Sequence, residues 1–380
     1  MPSLNEFRFR SSPFIDFKQL GELSAEEREK FRELQSDPDF YGLLFPRPPL
    51  TINLKAVARQ TAELFQSLSS PGRIHDEILR DGESAADVVD LVLDGILEIE
   101  SAGGFVSGAD ALPVLCESAD VRERPASLSH RALLYAQDLE TEDAQALTTA
   151  LYLYNRIPLS PFWRTRFASR EAILTHLGTD RAPLRALLDR EWTLSPTRKG
   201  WLSWSSKTES TRTAADVTYK LYISPRPERI RDAFEVLVRV LSDFPETPFK
   251  IGDSAAGLLR PDKLVAYFAT RERLDQAAGV LHRELAGCEA HGVPFTAAIG
   301  ETALLSWGVD PPDNDHALQW LGRDSWRLWV AKRLGAAIAI AKTARSAGAA
   351  EPWRFAIERA RRHGIDVETW TPSRALWSNG

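Results

Sequence analysis

The sequence predicts an α+β protein, with a mainly helical N-terminal half followed by a C-terminal α/β region around a small sheet. Two patterns predict it. Through residues 1–200, apolar positions recur mostly at helical spacing, punctuated by caps and prolines. Beyond residue 217, short runs rich in β-branched and aromatic residues alternate with helical stretches, as in a domain that mixes strands and helices. With 380 residues, 43% of them hydrophobic, the chain is long enough for two or three domains and a large core. The expected division is a helical N-terminal domain over 1–125, a helical connecting region over 126–200 and an α+β domain over 201–380.

In chain order, Ser24 to Glu27 has capping-box spacing ahead of a helical run, EEREKFRELQ. FPRPPL (45–50) breaks the chain before a helix over Leu54 to Leu68. Val88, Leu91, Val92, Ile96 and Ile99 keep a helical period, and the Gly103-Gly104 turn leads into a strand at Phe105-Val106. This helix, turn and strand resemble part of a winged-helix unit, although no cationic recognition helix accompanies them. Ser129 and Thr141 are candidate caps for the next two helices. The aromatic and arginine-rich LYNRIPLSPFWRTRF (153–167) suits either a packed aromatic staple or a surface for an extended peptide. The polar stretch 195–216 reads as a linker or active-site loop.

Strands are then expected at Val217–Ser224, Phe249–Ile251, Lys263–Phe268 and Pro294–Thr296. Helices are expected at Arg226–Leu241, Leu274–Leu285, Trp326–Thr343 and Pro352–His363. Trp326 and Trp329 stand three apart, the spacing of core packing on one helix face.

Several functions are disfavoured. A net charge of -6 argues against a nucleic-acid partner held by a broad basic surface. Cys116 and Cys288 show neither CxxC nor metal-type spacing, so they read as idle thiols in a reducing cytoplasm. The start, MPSLNEFRFR, lacks an apolar signal core, and no run approaches the ~18 apolar residues of a membrane helix. A cytoplasmic protein with no membrane partner is expected. No Walker motif, strand-following GxGxxG or HExxH occurs. DPPDNDHALQ (310–319) gathers acids and a histidine but reads as a solvated loop, so neither metal nor organic cofactor is expected.

The cations carry the chemical signal. Only 10 of the 47 basic residues are lysines, yet Lys220, Lys250 and Lys263 all sit inside short apolar runs. A desolvated lysine among other cations can lose its proton, whereas an arginine holds it. Strand alternation puts Lys220, Tyr222 and Ser224 on one face, and Lys263, Val265 and Tyr267 on one face of another strand. If those faces meet, two lysines and two tyrosines converge near Lys250 and Arg260. Edge-strand lysines that discourage edge pairing are the alternative.

TYKLYIS (218–224), DAFEVLVRVL (232–241), TPFKIGD (247–253), Arg260 and KLVAYFAT (263–270) follow one another in an order and spacing with a precedent. They resemble the bacterial type III effector phosphothreonine lyases and the related lyase domains of lanthipeptide synthetases. The corresponding family elements have the forms DKFHIS, QAFQVLSGLL, DKWKVTD, an arginine and QFTLYVKP.

The resemblance implies β-elimination of phosphate from a phosphorylated peptide. Lys250 would take the α-proton, Lys220 would stabilise the enolate-like charge, and Arg260 would hold the phosphate. Tyr267 matches a family tyrosine near the site, and Lys263 and Arg327 are further candidate phosphate or substrate ligands, with Arg323 beside them. The family's histidine acid is replaced by Tyr222, which would donate the proton in its place; His291 is the alternative donor, or else a turn residue. The implied partners are a phosphorylated ribosomal precursor peptide and a separate kinase. The Tyr222 replacement keeps two other readings open, a catalytically inactive phosphopeptide- or leader-binding partner and a different α-proton chemistry such as epimerisation or cyclisation.

Overall fold

The computed structural model describes residues 4–48, 50, 52, 54–116, 127–195, 200–208, 218–311 and 324–373. Its frame is one antiparallel sheet of seven strands: β1 (Trp192–Leu194), β2 (Trp201–Ser206), β3 (Tyr219–Ile223), β4 (Phe249–Gly252), β5 (Leu264–Phe268), β6 (Ala297–Ile299) and β7 (Leu305–Val309). The spatial order is β6-β7-β3-β5-β4-β2-β1. Five helices matter for the site: α1 (Ala144–Leu153), α2 (Ile230–Leu241), α3 (Arg271–Glu284), α4 (Trp326–Lys342) and α5 (Pro352–Arg362).

Side chains alternate across a strand, so the sheet has two unlike faces. Leu202, Trp204, Leu221, Ile223, Phe249, Ile251, Leu264, Ala266 and Phe268 form the apolar face, and all are buried. Phe234 and Leu237 of α2 and Leu274 and Leu281 of α3 complete that core. The opposite face carries Ser203, Lys220, Tyr222, Lys250, Val265 and Tyr267, residues that the register sets beside one another.

A second core joins the N-terminal part of the chain, from Leu4 to Leu151, to Phe295 and the buried residues of α4 and α5. α4 packs between α1 and α5, and α5 also meets helix Ser127–Asp138, so α4 is buried nearly all round. Close approach of α4 to α1 needs Gly335, where a Cβ would meet the Thr148 backbone N at 2.7 Å. Trp326 and Trp329 stack at 5.4 Å in this core, as their spacing suggests.

The α+β class holds, but the N-terminal part contains more strand than its periodicity suggests. Ile15–Gln19, Gly42–Pro46 and Lys55–Val57 form one three-stranded sheet, and Phe9–Ser11, Leu97–Ser101 and Gly104–Val106 form another. The helix expected to run through Ile99 ends at Leu93, where Gly95 turns the chain at a φ of 75°. Leu97 and Ile99 satisfy a period of two equally well, and pairing with Phe9–Ser11 decides for strand. Helix Gly82–Leu93 is followed by the hairpin of Leu97–Ser101 with Gly104–Val106.

Ser24 forms its capping box with Glu27. Ser129 instead lies inside helix Ser127–Asp138 and accepts from the Phe295 N–H at 2.9 Å, while Asp143 caps α1 in place of Thr141. Trp163 stacks on Phe167 at 5.3 Å as a packed staple, and Phe162 beside it is 60% exposed. The expected strand at Pro294–Thr296 starts at Ala297. Among the described residues, no helix is long and apolar enough to cross a membrane.

Candidate functional site

β3, β5 and β4 are neighbours in the sheet, so the faces that alternation assigns to them meet. Lys250 stands opposite Val265, Val265 opposite Tyr222, and Tyr267 opposite Lys220. The Tyr267 ring lies between two lysines, 5.4 Å from Lys250 Nζ and 5.7 Å from Lys220 Nζ. Lys250 Nζ also sits 4.1 Å from the Trp201 ring on β2. Arg260 Cζ follows at 5.4 Å from Trp201 and 5.4 Å from Tyr152 of α1, and Arg327 Cζ at 4.9 Å from Tyr152. The result is one row of alternating cations and rings: Lys220, Tyr267, Lys250, Trp201, Arg260, Tyr152, Arg327. The electron-rich ring faces attract the cations beside them, which offsets part of the repulsion between neighbouring like charges.

Two carboxylates anchor the ends of this row. Asp262 accepts from Arg260 Nε at 2.9 Å and Nη2 at 2.8 Å, and lies 2.7 Å from Arg327 Nη1. Burial opposes its charge, but the two guanidiniums hold its carboxyl at about 2. Arg260 also donates to the Tyr152 hydroxyl at 2.9 Å. At the other end, Lys220 is ion-paired with Asp310. Among the described residues, Asp310 thus pairs with Lys220, and Asp262 with both Arg260 and Arg327.

Not every candidate belongs to this surface. Lys263 is fully buried, and its ammonium donates to the Pro225 carbonyl at 3.0 Å and to His291 Nδ1 at 2.7 Å. Burial lowers it to about 7, which makes it the desolvated lysine among the three, and its side chain has no exposed surface to offer a substrate. His291, whose Nε2 meets the Asn155 carbonyl, is held at about 3 by burial and by Lys263. It is a partner of Lys263, neither an acid for the leaving group nor a simple turn residue.

Arg327 is likewise enclosed. It is 1% exposed, ion-paired with Asp262 and donates to the Pro294 carbonyl at 3.2 Å and the Tyr152 carbonyl at 2.9 Å, which leaves its side chain almost no open surface. Tyr222 is 3% exposed in a small cluster with Val265 and Val293. Burial raises its phenol well above the ordinary value, so it keeps its proton and is a poor acid. Arg323 and most of 310–319 lie outside the described residues.

Sequence reasoning missed Trp201, Asp262 and Tyr152. Trp201 lay in a stretch read as a linker or active-site loop, although Leu202 and Trp204 alternate with Ser203 and Ser205 in the pattern of a strand. Asp262 was legible as the acid between Arg260 and Lys263. Tyr152 had no local signal, since only the packing of α1 brings it to Arg260.

The chain matches no protein-family model and no curated protein sequence. Among solved structures it is similar to an effector protein of Pseudomonas syringae pv. syringae strain 61, with 12% identity and a TM-score of 0.40 over 66% of this chain and 100% of that one. It is also similar to an effector protein of Pseudomonas syringae pv. tomato strain DC3000, with 12% identity and a TM-score of 0.34 over 64% of this chain and 97% of that one.

Proposed function

We propose that this protein is a lyase that eliminates phosphate from phosphoserine or phosphothreonine in a ribosomally made precursor peptide, leaving a dehydroamino acid. The observation that carries this reading is the placement of Lys220 and Lys250 on the same Tyr267 ring, with Arg260 one ring further along. Lys250, in its neutral form, removes the α-proton. The electron pair forms the Cα–Cβ double bond, and the Cβ–O bond breaks as phosphate leaves. Lys220 stabilises the charge that builds on the substrate carbonyl. Arg260, oriented by Asp262, presents its guanidinium to the phosphate. A proton taken up by Lys250 is available to the departing phosphate, so the step does not depend on Tyr222. It uses no metal or organic cofactor, and a separate kinase supplies the phosphorylated peptide.

Mass spectrometry of phosphoserine and phosphothreonine peptides incubated with the protein tests this. Loss of phosphoric acid is expected with wild type and is abolished in Lys250→Ala, with peptide binding nearly retained. Substantial elimination by the variant would remove Lys250 as the base. The Lys220–Asp310 ion pair and the buried Tyr222 favour a second reading, a phosphopeptide-binding partner without turnover. Under that reading the peptide mass is unchanged and affinity falls in Lys250→Ala.

A further inference from the structure

Away from the sheet face, α1, α4, α5 and Lys55 enclose a pocket of about 210 Å3. Sites for drug-sized organic ligands begin at about 300 Å3, so this one suits something smaller. Four cations line it, Lys55, Lys332, Arg333 and Arg359, against a single carboxylate, Asp94. Asp94 is already engaged by Lys55 and by Arg359 at 2.6 Å. Just outside, Asp90 binds Arg359 and Arg362, and Asp324 lies 2.7 Å from Lys332.

His363 also lines the pocket and shows which ligand chemistry is wanted. Its Nε2 lies 3.4 Å from Arg359 Nη2. A guanidinium only donates, so Nε2 is the acceptor and the neutral ring carries its proton on Nδ1. That Nδ1 is buried and has no hydrogen-bond partner among the described residues. Burial, then Arg359 and Arg333, hold the ring at about 4, so it is neutral near pH 7. An unmatched N–H donor in a recess lined by cations is complementary to an anionic oxygen.

We infer that this pocket binds a small free oxyanion of the phosphate class, gripped by Lys332, Arg333 and Arg359 and by the Nδ1–H of His363. It is distinct from the sheet face. α1 runs from Ala144 at the pocket to Tyr152 beside Arg260, about 12 Å of helix at ~1.5 Å per residue.

The test titrates inorganic phosphate into the full-length protein at ionic strength held constant with sodium chloride. The readouts are the His363 ring signal by NMR, assigned by its loss in His363→Gln, and the thermal midpoint. A saturable shift is expected, with the His363 titration midpoint rising above its phosphate-free value and the melting temperature increasing. Lys332 is 40% exposed, so Lys332→Gln leaves the fold intact and weakens binding about ten-fold through loss of one charge-assisted contact. Lys250→Ala, outside the pocket, leaves the phosphate-induced shift of the His363 signal in place. A His363 signal that follows ionic strength alone, as for a pocket filled with water, overturns the inference. So does a phosphate response that survives Lys332→Gln but disappears in Lys250→Ala, which would put the anion on the sheet face.

Discussion

Replacing Asp262 with asparagine isolates what holds the row of cations in register. The carboxylate is buried between Arg260 and Arg327, and Arg327 is itself 1% exposed. Its pKa of about 2 against an ordinary 3.8 corresponds to roughly 2.5 kcal/mol of folded-state stability at ~1.4 kcal/mol per pH unit. Removing one partner of a buried ion pair typically costs about 3–5 kcal/mol, because the other charge is left uncompensated. Asparagine keeps the shape and one acceptor oxygen, so a loss of about 3 kcal/mol is expected at pH 7. Urea unfolding followed by tryptophan fluorescence measures it. The folded-state pKa is depressed, so the contribution is fully present above pH 3.8 and is lost as the pH falls through 3.8 towards 2. The gap between wild type and variant should therefore narrow over that window. A loss under about 1 kcal/mol at pH 7, or a gap that stays constant with acid, would refute the view that Asp262 carries this charge balance.

Two half-buried histidines make acid lability a second expectation. His291 at about 3 and His363 at about 4 both lie below the ordinary 6.5, so the unfolded chain takes up protons first and stability falls as the pH drops below 6.5. Each contributes a slope of ~1.4 kcal/mol per pH unit around pH 5, and His363→Gln should flatten the measured profile by one such slope. In Gly335→Ala the new Cβ would lie 2.5 Å from Thr148 Oγ1, so α1 and α4 must separate. A stability loss of ~1–3 kcal/mol is expected; an unchanged melting temperature would count against so tight a contact. In Gly252→Ala the Cβ would meet the Gly257 backbone at 2.5 Å. That displaces the short helix Ala255–Leu258 leading to Arg260, so phosphopeptide affinity should fall in a titration.

Local pattern was enough to find much of this molecule. Alternation placed Lys220 and Tyr222 on one face and Val265 and Tyr267 on another, and the register brings those faces together. Helical spacing located α2, α3 and α5 to within a few residues, because each carries its apolar stripe in its own sequence, and α4 was found as a long, mostly apolar run. Where a segment satisfied two periods, as at Leu97 and Ile99, only a strand partner from residues 9–11 could choose. β2 was lost for a related reason: serines on its polar face hid a strand that is interior to the sheet.

The sequence by itself determined the α+β class and which lysines and tyrosines share a face, since both follow from the chemistry of neighbouring residues. Only the tertiary structure decided what each cation does. Lys250 lies partly open on the sheet between Trp201 and Tyr267, whereas Lys263, two residues before Lys250's partner Val265 and just ahead of β5, is closed in by Pro225 and His291. Desolvation depends on what chain distant in sequence packs over a side chain. No local pattern encodes that.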